Sequence, residues 1–271
     1  MWLTNKQDHR ASVLITGGSV GLGLAMARDL AARDFEVFIC ARTEADLAKA
    51  VQLEPRLKAI RADVSSGPDR ERLMADAQRR SDGRPLDCLI NNAAIVQAHD
   101  YLNPFTLSAD RARAEIEINF AAPIELIRLF LASRQDRFDE PAGIVNISTP
   151  GALFPLDANP LYTATKAGFH MFTLALRRHL ATSAIKVIEV FPPALDTGLA
   201  KQLEVASQAA NGQDVVDQVA RETVEGILAG TEMIAPHEQS RQLCEMFPPI
   251  SEALIDGINA GVKRRPGWDQ A

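Results

Sequence analysis

Val13-Leu14-Ile15-Thr16-Gly17-Gly18-Ser19-Val20-Gly21-Leu22-Gly23 is the stretch on which the fold turns. Its first four residues are apolar or β-branched, the pattern of a short buried strand, and a helical pattern follows at once. The glycines between let the backbone turn sharply, approach a pyrophosphate closely and pack helix against strand. The first helical turn then offers free N–H groups and the positive end of its dipole to phosphates. The spacing is GxxxGxG with no GK[ST] after it, so this is not a Walker-type loop. A glycine-rich turn can be purely structural, but a strand before it and a helix after it favour dinucleotide binding.

Further along, short apolar runs alternate with longer amphipathic ones. Strands are predicted at Val13–Thr16, Glu36–Cys40, Leu57–Arg61, Asp87–Ile90, Gly143–Ile147 and Lys186–Val190. Helices are predicted near 22–33, 44–53, 68–81, 108–135 and 161–183, then near 213–229, with a short strand around Met233–Ala235. Alternation of this kind builds βαβ units, and hence an α/β, Rossmann-type doubly wound parallel sheet in a three-layer α/β/α sandwich. With no internal repeat or Gly/Ser linker, the 271 residues are expected to form one domain with a core over about 11–235. The stretch 194–212 follows a strand and suits a substrate lid. The tail, 236–271, carries Phe247-Pro248-Pro249 and an amphipathic stretch around 250–260.

The end of the second strand bears on which dinucleotide is bound. An acidic residue there would hydrogen-bond the ribose 2′-hydroxyl of NAD. The chain has Cys40-Ala41-Arg42 instead. A guanidinium suits a 2′-phosphate and Ser19 can assist, so NADP(H) is favoured, with NAD(H) the alternative. An Arg42 that is simply solvated is the plain competing explanation.

Tyr162-Thr163-Ala164-Thr165-Lys166 places a phenol and an ammonium four residues apart, on one face of a predicted helix. An ammonium beside a phenol favours the phenolate and should lower the tyrosine pKa from its free value of about 10, giving an acid/base for an alcohol or carbonyl. Alone, such a pair is weak, since a solvated Lys beside a half-buried Tyr is common. Asn119 adds to it. Pro123, four residues later, has no N–H to return to the Asn119 carbonyl, so a kink is expected there and a carbonyl that wants water.

TGGSVGLG, Asn91-Asn92-Ala93-Ala94, Asn119 and YTATK stand in an order and spacing that resemble the short-chain dehydrogenase/reductase family over about residues 11–200. EINFAAP, YTATKAGFHMFTLALR and VIEVFPPALDTGL most resemble its DltE-like members. The resemblance implies that Tyr162 is the acid/base, that Lys166 lowers its pKa and binds the nicotinamide ribose, and that Asn119 holds a water in the proton relay. The glycine turn itself offers a pyrophosphate cradle at Gly17, Ser19, Gly21, Leu22 and Gly23, with Arg42 at the 2′-position. For the rest of the cofactor the resemblance implies that Asp63 and Val64 lie at the adenine, Asn91 and Ala93 along the cofactor, and Pro192, Leu195 and Thr197 at the nicotinamide.

Three positions depart from the family pattern. Thr149 stands thirteen residues before Tyr162, where the family has a catalytic serine. Ser148 precedes it, and since neighbouring residues leaving a strand point to opposite sides, one of the two hydroxyls reaches the substrate. Ala94 and Pro193 replace family glycines.

The implied activity is an NADP(H)-dependent oxidoreductase acting on a small-molecule carbonyl/alcohol pair. The Thr149 substitution keeps open a dinucleotide-binding regulator or sensor with little dehydrogenase activity, and the scaffold also allows a dehydratase or epimerase.

The net charge of −6 argues against nucleic acid and anionic membrane as partners. No apolar run approaches the ~18–20 residues of a membrane span, and the polar N-terminus has no secretory h-region, so a cytoplasmic protein is expected. Cys40, Cys88 and Cys244 suit reduced thiols, and His9, His99, His170, His179 and His237 have no metal spacing, so no metal is expected. His99 is expected on an exposed loop and Met171 and Phe172 in the core, while Lys263-Arg264-Arg265 reads as a solvated cluster. Ile116–Leu131 is apolar around most of its circumference, so it needs cover from the sheet and from something else; the family resemblance implies a second subunit, in a homodimer or homotetramer.

Overall fold

In the computed structural model the residues described are 2–3, 9–97, 100–103, 108–195, 212–247 and 251–260. Seven parallel strands form one sheet in the order β3-β2-β1-β4-β5-β6-β7. They are β1 (Ser12–Thr16), β2 (Glu36–Ala41), β3 (Lys58–Arg61), β4 (Cys88–Asn91), β5 (Ala142–Ile147), β6 (Ile185–Val190) and β7 (Met233–Ile234). Each predicted strand is present to within about a residue. The strand order reverses between β1 and β4, and this switch point opens a crevice beyond their carboxyl ends.

The pleat sends alternate side chains into two cores. Val13, Ile15, Ile39, Ile90, Val145 and Ile188 pack under α1 (Gly21–Ala32), α2 (Glu44–Leu53) and α7 (Gln213–Ala229). Leu14, Phe38, Leu89, Ile144 and Val187 pack under α3 (Gly67–Arg79), α5 (Ala122–Ala132) and α6 (Pro160–His179). Because both faces are covered, the strands are near-continuous apolar runs, as parallel sheets require. Each fully buried Leu, Ile or Val contributes roughly 1.5–3 kcal/mol of transfer free energy.

The predicted helix over 108–135 is broken. α4 (Ala109–Ile116) passes into a π-helical turn, Glu117–Ala121, and then into α5. The Ala122 N–H donates to the Glu117 carbonyl, five residues back. Pro123 is the physical reason: it cannot return a hydrogen bond to Asn119, so the ladder shifts by one residue instead of merely bending.

The tail contributes α8 (Glu238–Met246) and α9 (Glu252–Ala260). Sequence periodicity anticipated α9 but not α8. Met171, expected in the core, is 54% exposed, whereas Phe172 is half-buried and stacks on Phe169. His99, most of the 194–212 lid, Pro248-Pro249 and the basic cluster at 263–265 lie outside the described residues. Among the described residues no helix is long and apolar enough to cross a membrane, and no His/Cys/Asp/Glu group could hold a metal.

Candidate active site

The glycine turn joins β1 to α1 at the switch point. Gly17 has φ +63°, a left-handed conformation that disfavours any side chain, and a Cβ there would meet the Ala93 backbone at 3.0 Å. At Gly23 a Cβ would come within 2.4 Å of the Gly17 carbonyl oxygen, so the helix can approach the turn only without a side chain. Ser19 and Leu22 are buried beside it. α1 opens at Gly21. Its N-cap is Val20, which makes no side-chain cap, and its first turn holds no acidic residue. Its leading N–H groups therefore face no competing anion from their own helix, which suits a phosphate.

Asn92 and Thr16 clamp this turn to the end of β4. Asn92 Nδ2 donates to the Thr16 and Gly17 carbonyls at 2.9 and 3.1 Å. Thr16 Oγ1 accepts from the Asn92 and Ala93 N–H groups at 2.9 and 3.0 Å. Sequence reasoning did not assign this clamp, although Asn92 lay inside the quoted motif.

The predicted acid/base pair sits on one face of α6. Pro160 opens the helix at a position where a missing N–H does no harm, and Tyr162 and Lys166 follow, both buried. Lys166 Nζ donates to the Ile147 carbonyl at 2.9 Å and lies 5.9 Å from the Tyr162 ring centroid. The Tyr162 pKa shifts in the direction opposite to the one expected from its spacing to the lysine. Burial raises the Tyr162 hydroxyl well above the usual phenol range, and the charge of Glu115 adds to this. Burial likewise pushes the Lys166 ammonium down to about 8, against an upward pull from Glu189. Desolvation disfavours both charged forms and is the larger cause at each.

Asn119 lies in the π turn and lines a small cavity together with Lys166. Its side chain forms a pair with the Ile95 backbone, accepting from the N–H at 2.8 Å and donating to the carbonyl at 2.7 Å. Nδ2 also reaches Thr165 Oγ1 at 3.4 Å, and that hydroxyl donates to the Tyr162 carbonyl at 2.7 Å. A small cavity brings Val64, Asn91, Ala93, Asn119 and Lys166 together beside Pro123. Asn91 Nδ2 donates to Asn146 Oδ1 at 2.9 Å, and its own Oδ1 is buried without a hydrogen-bond partner.

Residues 11–208 match the family model described as short chain dehydrogenase. The chain belongs to this oxidoreductase family. An uncharacterized oxidoreductase DltE from Bacillus subtilis (strain 168) is 39% identical over 191 residues, spanning 69% of this chain and 73% of that protein. The structure of a variant actinorhodin polyketide ketoreductase with NADPH is 26% identical, with a TM-score of 0.68, over 91% of this chain and 93% of that one. A Burkholderia phymatum short-chain dehydrogenase/reductase in complex with NAD shares the fold at 20% identity, with a TM-score of 0.77 over 93% of this chain and 99% of that one. Of these two neighbours, the first was solved with NADPH and the second with NAD.

The remaining predicted positions of this short-chain dehydrogenase spread outward. Ser148 continues the β5 ladder, its N–H donating to the Val190 carbonyl at 2.7 Å, and its Oγ is buried with no partner. Thr149 is half-buried and caps the 3-10 turn Pro150–Ala152, its Oγ1 accepting weakly from the Gly151 N–H at 3.4 Å. This turn packs against α6. Arg42 is exposed at the end of β2, and its carbonyl accepts from Arg61 Nε at 3.2 Å. Asp63 Oδ1 accepts from the Ser65 N–H and hydroxyl at 2.9 and 2.7 Å. Pro192 and Leu195 are buried after β6, while Thr197 lies outside the described residues. Beyond the 3-10 turn, Phe154 stacks on Phe247 with centroids 5.2 Å apart.

Proposed function

We propose that this chain is an NADP(H)-dependent oxidoreductase that interconverts a carbonyl and an alcohol. The observation that carries the reading is the buried Tyr162–Lys166 pair, joined through Thr165 to Asn119 in a π turn, at the switch point beside an uncapped helix N-terminus. Gly17, Ser19, Gly21, Leu22 and Gly23 would hold the pyrophosphate, and Arg42 the 2′-phosphate, no carboxylate standing at the end of β2 to favour NAD(H). Asp63 and Val64 would bound the adenine. Asn91, Ala93, Tyr162 and Lys166 would meet the nicotinamide ribose, and Pro192, Leu195 and Thr197 the nicotinamide. The bound nicotinamide supplies a hydride to a carbonyl carbon, or accepts one from an alcohol.

The residues themselves move the proton. Burial keeps Tyr162 in its phenol form, so it rests as a donor for an oxygen gaining charge. Lys166, with an ammonium pushed down to about 8, can give up a proton near neutral pH and resupply the phenol. Asn119 and the cavity at Pro123 provide a polar place for a water on that route. Thr149 donates to the substrate oxygen from the turn against α6, with Ser148 Oγ the alternative donor.

Tyr162→Phe removes the proton donor and leaves the fold's packing intact. Turnover of NADPH with a carbonyl panel should fall by ~10²–10⁴-fold while NADPH binding stays as in the wild type. Retained turnover overturns the mechanism. Thr149→Val should cost about 10-fold or more in kcat, and Ser148→Ala little; the reverse pattern assigns the donor to Ser148.

The half-buried apolar side chains Ile124, Leu129 and Leu131 of α5, with exposed Ile116 on α4 and Met171 on α6, support a homodimer or homotetramer built on these helices.

A further inference from the structure

Glu189 is a carboxylate that the proton route above does not use. It stands on β6 and is fully buried. Val187, two residues earlier, packs in the core under α5 and α6, so the pleat turns Glu189 to the same side. There its Oε2 lies 2.8 Å from Nδ1 of His170, while Oε1 is buried with no hydrogen-bond partner. Removing a carboxylate from water is costly unless a positive charge or several donors face it. One imidazole is a thin compensation, and the charge of Glu189 reaches a buried cation, Lys166.

That cation is one helical turn from His170. Tyr162, Lys166 and His170 recur every four residues and share one stripe of α6. Lys166 is itself buried and hydrogen-bonds the Ile147 carbonyl. In the sheet Ile147 pairs with Val190 and Asn146 with Glu189, so the ammonium is anchored at the rung next to the one that carries Glu189. We propose that Glu189 is a positioning residue for Lys166: its buried carboxylate, held by His170, supplies the counter-charge for the lysine ammonium.

Other titratable groups border this cluster. α6 contributes Tyr162 and His170. Glu115 faces in from α4 and its charge acts on Tyr162. Cys244 faces in from α8, where burial, with the charge of Glu189 adding, pushes its thiol up to about 11. Arg177 is taken up by the Val187 and Glu232 carbonyls at 2.8 and 2.9 Å. From β5 come Asn146 and Ser148, both uncharged. The charge that raises the proton affinity of Lys166 is that of Glu189, and it opposes the larger effect of burial. Without it the lysine would lose its proton at a lower pH and be poorly stocked to resupply Tyr162.

The use made of the charge rests on the proposed activity; the pairing itself does not. The test therefore reads Lys166 directly. In the full chain carrying ¹³C-labelled lysine, the Lys166 signal, assigned by its loss in Lys166→Arg, is titrated by NMR without substrate. Glu189→Gln is expected to lower the Lys166 midpoint by about 1 pH unit, a tenfold change in proton affinity. His170→Leu strips Glu189 of the hydrogen bond that holds its carboxylate in place, so a smaller drop in the same direction is expected. His170→Gln, which can still donate, should restore the wild-type midpoint. If Glu189→Gln does not fold, the two His170 variants decide. A Lys166 midpoint unchanged in Glu189→Gln, or in His170→Leu where that variant decides, overturns the proposal. A wild-type protein that reduces no carbonyl would instead sink the proposed activity and leave the titration standing.

Discussion

The glycine turn after β1 and the Phe154–Phe247 pair are held in different ways. At the glycine turn the contacts are with backbone and with the clamping asparagine: a Cβ on Gly23 would stand 2.4 Å from the Gly17 oxygen and 2.6 Å from Asn92 Nδ2. At the aromatic pair two rings stack 5.2 Å apart, and Phe247 remains 38% exposed. Its partners come from segments far apart in the chain, one after β5 and one after α8. Backbone geometry tolerates almost no substitution, whereas stacked side chains at a half-open surface tolerate many. The contrast fits the division of labour proposed above, with the cofactor at the rigid end and the substrate at the adaptable one.

Three substitutions probe that contrast, in decreasing order of effect. Gly23→Ala forces a methyl into backbone that cannot step aside, and should cost about 3 kcal/mol or more of stability together with NADPH binding. Thermal unfolding and a cofactor titration would measure it; a variant that melts and binds like the wild type would show that the turn is softer than its contacts imply. Arg42→Ala should weaken NADPH binding about tenfold and leave NADH binding nearly unchanged, since the loss is of one exposed charge-assisted contact. An equal loss for both cofactors would place Arg42 away from the 2′-position. Phe247→Ala should raise KM for apolar carbonyls a few-fold, by about 1 kcal/mol or less, with kcat and cofactor binding unchanged. A drop in NADPH affinity there would dissolve the division between the two ends.

Much of the architecture was legible because it follows from local rules. Apolar runs of four to six residues located the strands, and Thr16 to Gly23 located the switch point. The missing N–H of Pro123 marked Asn119 as a place where the helix must change. What escaped has a physical reason in each case. α8 has a polar composition, and its one fully buried residue is Ser240, so periodicity had little to detect. The Asn92–Thr16 clamp and the His170–Glu189 pair join segments distant in sequence, and spacing cannot show them. The sign of the Tyr162 shift was misread because spacing reports the nearby ammonium but not the depth of burial, which decides the sign. Met171 was expected inside because it is apolar; its place on α6 turns it outward.

The π turn at Glu117–Ala121 has a consequence for how this helix could change length. Such a turn amounts to one residue inserted into an otherwise regular helix. Each residue of an α-helix advances about 100° around the axis, since 3.6 residues complete a turn. Deleting a single residue from the turn would therefore not simply shorten the helix. It would swing α4 and Asn119 by roughly a quarter-turn relative to α5, aiming the amide away from Ile95 and Thr165. The phase of the helix, and not only the identity of its asparagine, is part of what builds this site.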